Sequence, residues 1–243
     1  MWRPAFVRIP SPTLLAGAVS LCRDDFGDKV LELPDGRIAK LFRRKRRLSS
    51  NLFLPYARRF ARAAARLRRR GVPTVEILGL YRLPDLDRDA VVYRKVEGMA
   101  LREALAADPG RAAVLLPRLA GLLATLHERG VLFRSVHFGN WLVTPADPGR
   151  WTLIDILDTA FRPWPLGVGA RVRNFRHLIR YRVDREALAA YGVERFVGDY
   201  AAAAGLPAAR AKALRGRLAR LDPFFAGLGK PAGEPVAGST PGR

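Results

Sequence analysis

Acid is scarce in this chain. Its 243 residues carry 22 Asp and Glu against 43 Lys and Arg, a formal net charge of +21 and a sequence pI near 11.4. Between Gly36 and Val75 acid is missing altogether, while 14 Arg and Lys fall in the same window. A face so one-sided repels itself, and it favours polyanionic partners: nucleic acid, an anionic membrane or a phosphorylated ligand. Cysteine is nearly absent as well. Cys22 stands alone, which excludes an intramolecular disulfide framework and fits a reducing compartment. Three histidines (His127, His137 and His177) with one cysteine give no zinc-ligand spacing, so no structural metal is expected. Apolar runs are short, and none approaches the roughly 18 residues of a transmembrane helix. Leu14 to Cys22 follows Arg3 and Arg8 and has the outline of a secretion signal ending at a lipid-modified cysteine. Large Leu21 in front of Cys22 spoils the small-residue cleavage pattern, so the segment reads as a buried first strand.

The remainder has an ordinary globular balance, 49% hydrophobic and 27% charged, enough for one sizeable domain or two small lobes sharing a core. Leu14–Leu21 is followed by a polar turn at Arg23–Asp28. Leu31 and Leu33 alternate about Glu32, Pro34-Asp35-Gly36 signals a turn, and Arg37–Phe42 leads out of it as the next strand. Lys40 therefore lies inside an apolar strand, where a lysine is ordinarily an edge or outward-facing residue and otherwise a ligand. A basic run, Arg43–Arg47, and a Ser49-Ser50-Asn51 cluster precede a helix over Pro55–Arg70, with Phe60, Ala64 and Leu67 on one face and Gly71 as its C-terminal cap. Val75–Leu80 and Ala90–Val96 read as strands around a polar loop. Glu97-Gly98 breaks the pattern, and helical sequence begins at Leu101. Ala112–His127 is the clearest helix, with leucines stepping by three or four. Val168–Arg182, Asp184–Tyr191, Val193–Ala204 and Ala208–Leu221 are also helical in pattern. Pro231–Arg243 has almost nothing to bury and reads as a disordered tail.

The chemistry concentrates between Leu126 and Asp158. Asn140 and Asp155 lie 15 residues apart, each tied to a short apolar run. A β-hairpin there would hold an amide oxygen and a carboxylate side by side. That pair suits a hard divalent cation carrying nucleotide phosphates, because Mg²⁺ takes one or two protein oxygens plus phosphate oxygens and water. Asn140 as an ordinary turn residue is the plainer alternative. His127, within the leucine-rich helix, reads as a packing and hydrogen-bonding residue.

L-H-E-R-G-V followed by R-S-V-H-F-G-N, and then L-I-D-I-L-D, resembles the catalytic loop and metal-binding segment of bacterial small-molecule and sugar kinases. Together with K-L-F-R-R-K-R-R-L-S-S and P-Y-A-R-R-F, the set resembles the bacterial toluene-tolerance group of lipopolysaccharide-kinase-like proteins. The likeness spans roughly residues 31–182. It implies an α+β, two-lobed protein-kinase-like fold: a small antiparallel-sheet N-lobe with one helix over residues 1–97, a mainly helical C-lobe over 98–230, and the tail 231–243. It also implies ATP and Mg²⁺ as cofactors, with Lys40 holding nucleotide phosphates, Glu97 and Gly98 forming the hinge behind the adenine, and Asn140 and Asp155 binding the metal. Ser135 falls where the catalytic aspartate is expected, and His137 matches the histidine two residues further on. The acceptor implied is an anionic sugar, a lipopolysaccharide precursor. The location implied is cytoplasmic, peripheral at the inner face of the inner membrane.

Three departures weigh on catalysis. Ser135 is no carboxylate base, a loss of about 10²–10⁴ in rate, for which His137 or Asp158 would have to stand in. The helix after Lys40 offers no acid to pair with it, Ala65 occupying a plausible equivalent position, so Asp155 or the phosphate itself would have to orient the lysine. No G-x-G-x-x-G precedes Lys40; the first hairpin turn instead carries Asp24, Asp25 and Asp28 around Gly27, charges that repel phosphate. A catalytically impaired pseudokinase, acting as a binding or regulatory module at the membrane surface, is thus the competing expectation. Nucleic-acid binding has only the net charge behind it, since no aromatic-interleaved basic strand or reading helix is visible.

Overall fold

The computed structural model describes residues 5–44, 55–144 and 147–229. Lys45–Arg47, the Ser49–Asn51 cluster and the Pro231–Arg243 tail lie outside the described residues. In chain order the elements are β1 (Phe6–Arg8), α1 (Ser11–Leu15), β2 (Val19–Asp24), β3 (Gly27–Glu32), β4 (Ile38–Arg43), α2 (Tyr56–Arg69), β5 (Ile77–Leu83), β6 (Arg88–Tyr93), β7 (Met99–Ala100), α3 (Leu101–Ala107), α4 (Ala112–Glu128), β8 (Val131–Phe133), β9 (Trp141–Thr144), β10 (Asp147–Leu153), β11 (Thr159–Phe161), α5 (Val168–Leu178), α6 (Arg182–Tyr191), α7 (Val193–Ala203) and α8 (Ala208–Leu221). The architecture is α+β. The chain packs as two compact units: residues 1–107 with 133–161, and residues 108–132 with 162–243.

The first unit is built on a six-stranded sheet in the order β1-β5-β6-β4-β3-β2. The expectation of an antiparallel sheet is corrected at one edge, because β1 pairs in parallel with β5, Phe6 opposite Leu80. Three residues carry little pattern of their own. The position of β1 is marked instead by Phe6, whose ring takes the guanidinium of Arg58 at 5.3 Å and that of Arg82 at 5.0 Å. The single strand expected over Leu14–Leu21 is also corrected. Pro12 starts the short helix α1 within its first turn, Gly17 at φ +70° ends the segment, and only then does β2 begin.

β4 is an interior strand with both faces covered. Ala39 and Leu41 belong to apolar clusters with Val92, Leu33, Leu31, Leu83 and Ala90, against which Leu14, Leu15 and Ala18 pack. By the two-residue period of a strand, Lys40 and Phe42 point the other way, toward Phe60 of α2, whose ring lies 5.8 Å from that of Phe42. α2 buries Ala57, Phe60, Ala61, Ala64 and Leu67 and leaves its arginines outside. It ends as its sequence predicts: Gly71 takes φ +65°, Gly71 N–H bonds to Arg68 C=O and Val72 N–H to Leu67 C=O, the pattern of a Schellman cap.

The division expected at residues 97/98 is not where packing divides the chain. β7 pairs with β9, and β9 with β10, so 99–107 and the 133–161 segment join the sheet unit. The second unit is helical. Leu115, Leu119, Leu123 and Leu126 of α4 are buried, as the stripe predicts. Phe175 is ringed by Tyr200 at 5.0 Å, Phe225 at 6.2 Å and Phe196 at 6.4 Å. The helix expected over Val168–Arg182 stops at Leu178.

Candidate functional site

Lys40 is not an edge lysine. It is 6% exposed, and its Nζ donates to Asp155 Oδ1 at 2.6 Å. The Phe60 and Phe42 rings lie 5.3 and 6.0 Å from the ammonium, close enough for cation–π attraction. No helix acid is involved, in keeping with Ala65, so Asp155 itself orients the lysine. The pair is unequal: the Lys40 side chain is 8% exposed and that of Asp155 is 46%. Among the described residues Asp155 Oδ2 takes no hydrogen bond, which leaves one half-open carboxylate oxygen.

Asp155 is held in the left-handed region at φ +50°. Non-glycine residues there are uncommon and concentrate where the surrounding structure has a use for the strain. The hairpin sets its place. Trp141 pairs with Leu153, Leu142 with Thr152 and Val143 with Trp151, and Ile154 N–H bonds to Asn140 C=O at 3.1 Å. Asn140 and Asp155 therefore flank the same end of the hairpin, as the spacing predicts.

The orientation of Asn140 is fixed from behind. Its Nδ2 donates to Ser135 C=O at 2.8 Å and lies 3.1 Å from His137 Nε2. The amide nitrogen is spent on these contacts, and Oδ1 is the atom left for a ligand. An amide oxygen and a half-exposed carboxylate make a poor complete cage but a fitting pair for a cation that brings phosphate and water ligands with it. No group of three or more His, Cys, Asp or Glu able to hold a metal exists among the described residues, so a self-sufficient metal site of that kind is not what this region offers.

The structure places the other expected residues around this core. Ser135 is half-buried on the loop after β8 and contributes its carbonyl to Asn140. His137 is half-buried and turns Nε2 to the amide nitrogen of the same asparagine. Asp158 is exposed on the turn after Asp155, and its carbonyl accepts from Arg134 N–H at 3.0 Å, which draws the Ser135 loop to that turn. Glu97 and Gly98 are exposed in the link between β6 and β7. Gly98 takes φ +144°, and a Cβ there would meet Val143 O at 2.8 Å, so close approach of the link to β9 demands glycine. Thr144 Oγ1 reaches Glu97 C=O at 3.4 Å. The Asp24–Asp28 turn forms as expected, with Asp24 Oδ1 accepting from Phe26 N–H and Asp28 from Ser20 Oγ.

Sequence reasoning missed Tyr93, the last residue of β6. Burial, and then the Asp155 carboxylate, push its phenol above the usual range; its ring lies 6.0 Å from Phe60. An aromatic ending an apolar strand carries no signal of its own until the neighbouring carboxylate is placed. His127, by contrast, behaves as expected. It is fully buried in the helical unit, bonded to Tyr200 OH at 2.7 Å and Asn174 Oδ1 at 2.8 Å. Compared with known proteins, the chain matches no protein-family model and no curated protein sequence.

Proposed function

We propose that the chain is a kinase-like phosphotransferase that uses ATP and Mg²⁺ to phosphorylate an envelope sugar such as lipopolysaccharide core. One observation carries the reading: a buried strand lysine bonded to a half-open aspartate, with an asparagine whose free oxygen flanks the same hairpin end. In this reading Asn140 Oδ1 and Asp155 hold Mg²⁺, which neutralises phosphate charge when bound. Lys40 turns part of its bonding from Asp155 to the nucleotide phosphates, and Glu97 and Gly98 back the adenine. Phosphoryl transfer depends chiefly on positioning and charge neutralisation, so it tolerates Ser135 better than a reaction that lives on its base. His137 or Asp158 takes the acceptor hydroxyl's proton.

The basic surface fits an anionic acceptor at an anionic membrane. Arg66 is driven below the usual guanidinium range by burial and by Arg70 and Arg69 beside it, and both Arg66 and Arg70 lie over Phe161, at 4.3 and 5.1 Å. Each such charge near anionic lipid adds about 1 kcal/mol. Among the described residues no helix is long and apolar enough to cross a membrane, and the proposed placement is peripheral, at the inner face of the inner membrane.

Labelled ATP incubated with the protein and a cell-envelope extract is expected to label a sugar acceptor, and Asp155→Ala to abolish the label. Failure to label any envelope acceptor sinks the proposal. A pseudokinase is the second reading, favoured by the direct Lys40–Asp155 bond, by Ser135 and by the acidic turn. It predicts a membrane-binding protein in which nucleotide and Mg²⁺ produce no thermal shift, or produce one without turnover.

A further inference from the structure

A cavity of ≈ 290 Å³ lies in the sheet unit, walled by the end of α2, the link after β6 and the outer face of the β9–β10 hairpin. Its lining is polar: Thr74, Thr144 and Thr152 contribute hydroxyls, Arg68, Arg94 and Lys95 positive charge, Glu76 and Glu97 negative charge, and Val96 is the one apolar side chain. Neither Lys40 nor Asn140 nor Asp155 lines it, whereas Glu97, placed behind the adenine in the phosphotransferase reading, does.

Two features point to an occupant. Thr152 is only 8% exposed, it lines the cavity, and among the described residues no protein group bonds its hydroxyl, which leaves that oxygen available to an occupant. Its neighbours are engaged: Thr74 Oγ1 donates to Leu153 C=O at 2.8 Å, and Thr144 Oγ1 to Glu97 C=O at 3.4 Å. The charges tell the same story. Glu76 answers Arg94 at 3.1 Å and Glu32 answers Lys95 at 2.8 Å, while Arg68 has no carboxylate partner among the described residues. The cavity thus offers one guanidinium without a carboxylate partner, the open hydroxyl of Thr152, further hydroxyl lone pairs and the Glu97 carboxylate to accept from hydroxyls.

We propose that this cavity binds a small hydroxylated anion of the sugar-phosphate class, its phosphate on Arg68 and its hydroxyls on Thr152 and Glu97. The volume lies at the lower edge of the ~300–1,000 Å³ usual for small-molecule pockets, so it suits a monosaccharide phosphate and not a nucleotide. Because the site lacks Lys40 and Asp155, its occupant is a bound effector and does not react. The inference does not depend on the phosphotransferase reading.

Isothermal titration of the whole protein with glucose 6-phosphate, inorganic phosphate and glucose tests it. Glucose 6-phosphate is expected to bind with a Kd below about 1 mM, more tightly than either other probe. Arg68→Gln and Thr152→Val are each expected to weaken it, the former at least about tenfold, as loss of a charged hydrogen bond does. Valine matches threonine in shape and favours strands, and Arg68 is exposed, so both variants keep the fold. The inference is overturned if none of the probes binds, if inorganic phosphate binds as tightly as the sugar phosphate, or if binding survives both substitutions. Loss of binding in Lys40→Met with retention in Arg68→Gln would place the ligand at the Lys40 site and overturn it equally.

Discussion

Lys40 in the sheet unit and Arg171 in the helical unit are both buried cations, 6% and 3% exposed, and they are held in opposite ways. Arg171 spends all three nitrogens inside the protein. Nε donates to Leu166 C=O at 2.7 Å, Nη1 to Tyr200 OH at 2.8 Å and Nη2 to Glu128 Oε1 at 2.6 Å, and Tyr200 passes the network on to His127 and Asn174. The planar fork is matched on every side, which fixes one arrangement. Lys40 makes one bond of the three its ammonium can donate, to a carboxylate that is half exposed and has a second oxygen to spare. A polar network that closes on itself builds a core. One that stops short, beside an asparagine oxygen with nothing to do, is prepared for a ligand.

Substitution at each cation's partner separates the two. Asp155→Asn keeps an oxygen for Lys40, and asparagine tolerates φ +50° well, but the buried ammonium loses its carboxylate, so stability should fall by about 1–2 kcal/mol, short of a fully broken buried pair. On the proposed phosphotransferase reading, removing the carboxylate's charge from the metal site should nonetheless lower transfer about 10³-fold, near 4 kcal/mol of transition-state stabilisation. Arg171→Ala should do the reverse. It breaks a buried pair and strands Tyr200, and because Glu128 is 38% exposed the cost falls at the lower end, about 3 kcal/mol, read as a lowered urea midpoint. An Asp155→Asn protein that unfolds as readily as Arg171→Ala would erase the distinction.

The two regions also differed in how legible they were. The helical unit could be read from periodicity, because leucines at three- and four-residue steps have one use, and His127 in that stripe could be assigned to the core. The hairpin and its Asn140–Asp155 pair were legible for a different reason: two short apolar runs with polar ends have few ways to pair. The partners were legible only in part. The missing helix acid left Asp155 or phosphate to orient Lys40, and that it is Asp155 depends on contacts 115 residues apart. β1 and Tyr93 were missed because three residues, or one aromatic, carry no period. The polar cavity was invisible because its threonines belong to three separate segments.

Ser135 supplies the next test of the open site. If the site turns over slowly for want of a base, Ser135→Asp should raise the rate by about 10², the lower end of what a positioned base contributes. The serine's carbonyl, not its hydroxyl, holds Asn140, so the substitution leaves that anchor in place. No gain, with nucleotide binding intact, would assign the region to binding alone.

The closed network makes the smallest prediction, and the sign is fixed by its burial. In the folded protein burial pushes the His127 imidazole down to about 3, against the bond it donates to Asn174 Oδ1 and with the Arg171 charge adding to it; unfolded, it titrates near 6.5. Between those values the unfolded chain takes up a proton that the folded chain refuses. The imidazole's contribution is therefore whole above about pH 6.5 and lost progressively as pH falls toward 3. Stability at pH 5 should be about 2 kcal/mol below that at pH 7 from this group alone. His127→Gln retains a donor for Asn174 and an acceptor for Tyr200 but has nothing to titrate. Urea midpoints for both proteins at pH 7, 6 and 5 isolate the effect from the carboxylates they share: the wild type should fall more steeply than the variant. Parallel curves would mean that the network admits the proton, and that it is less closed than its bonds indicate.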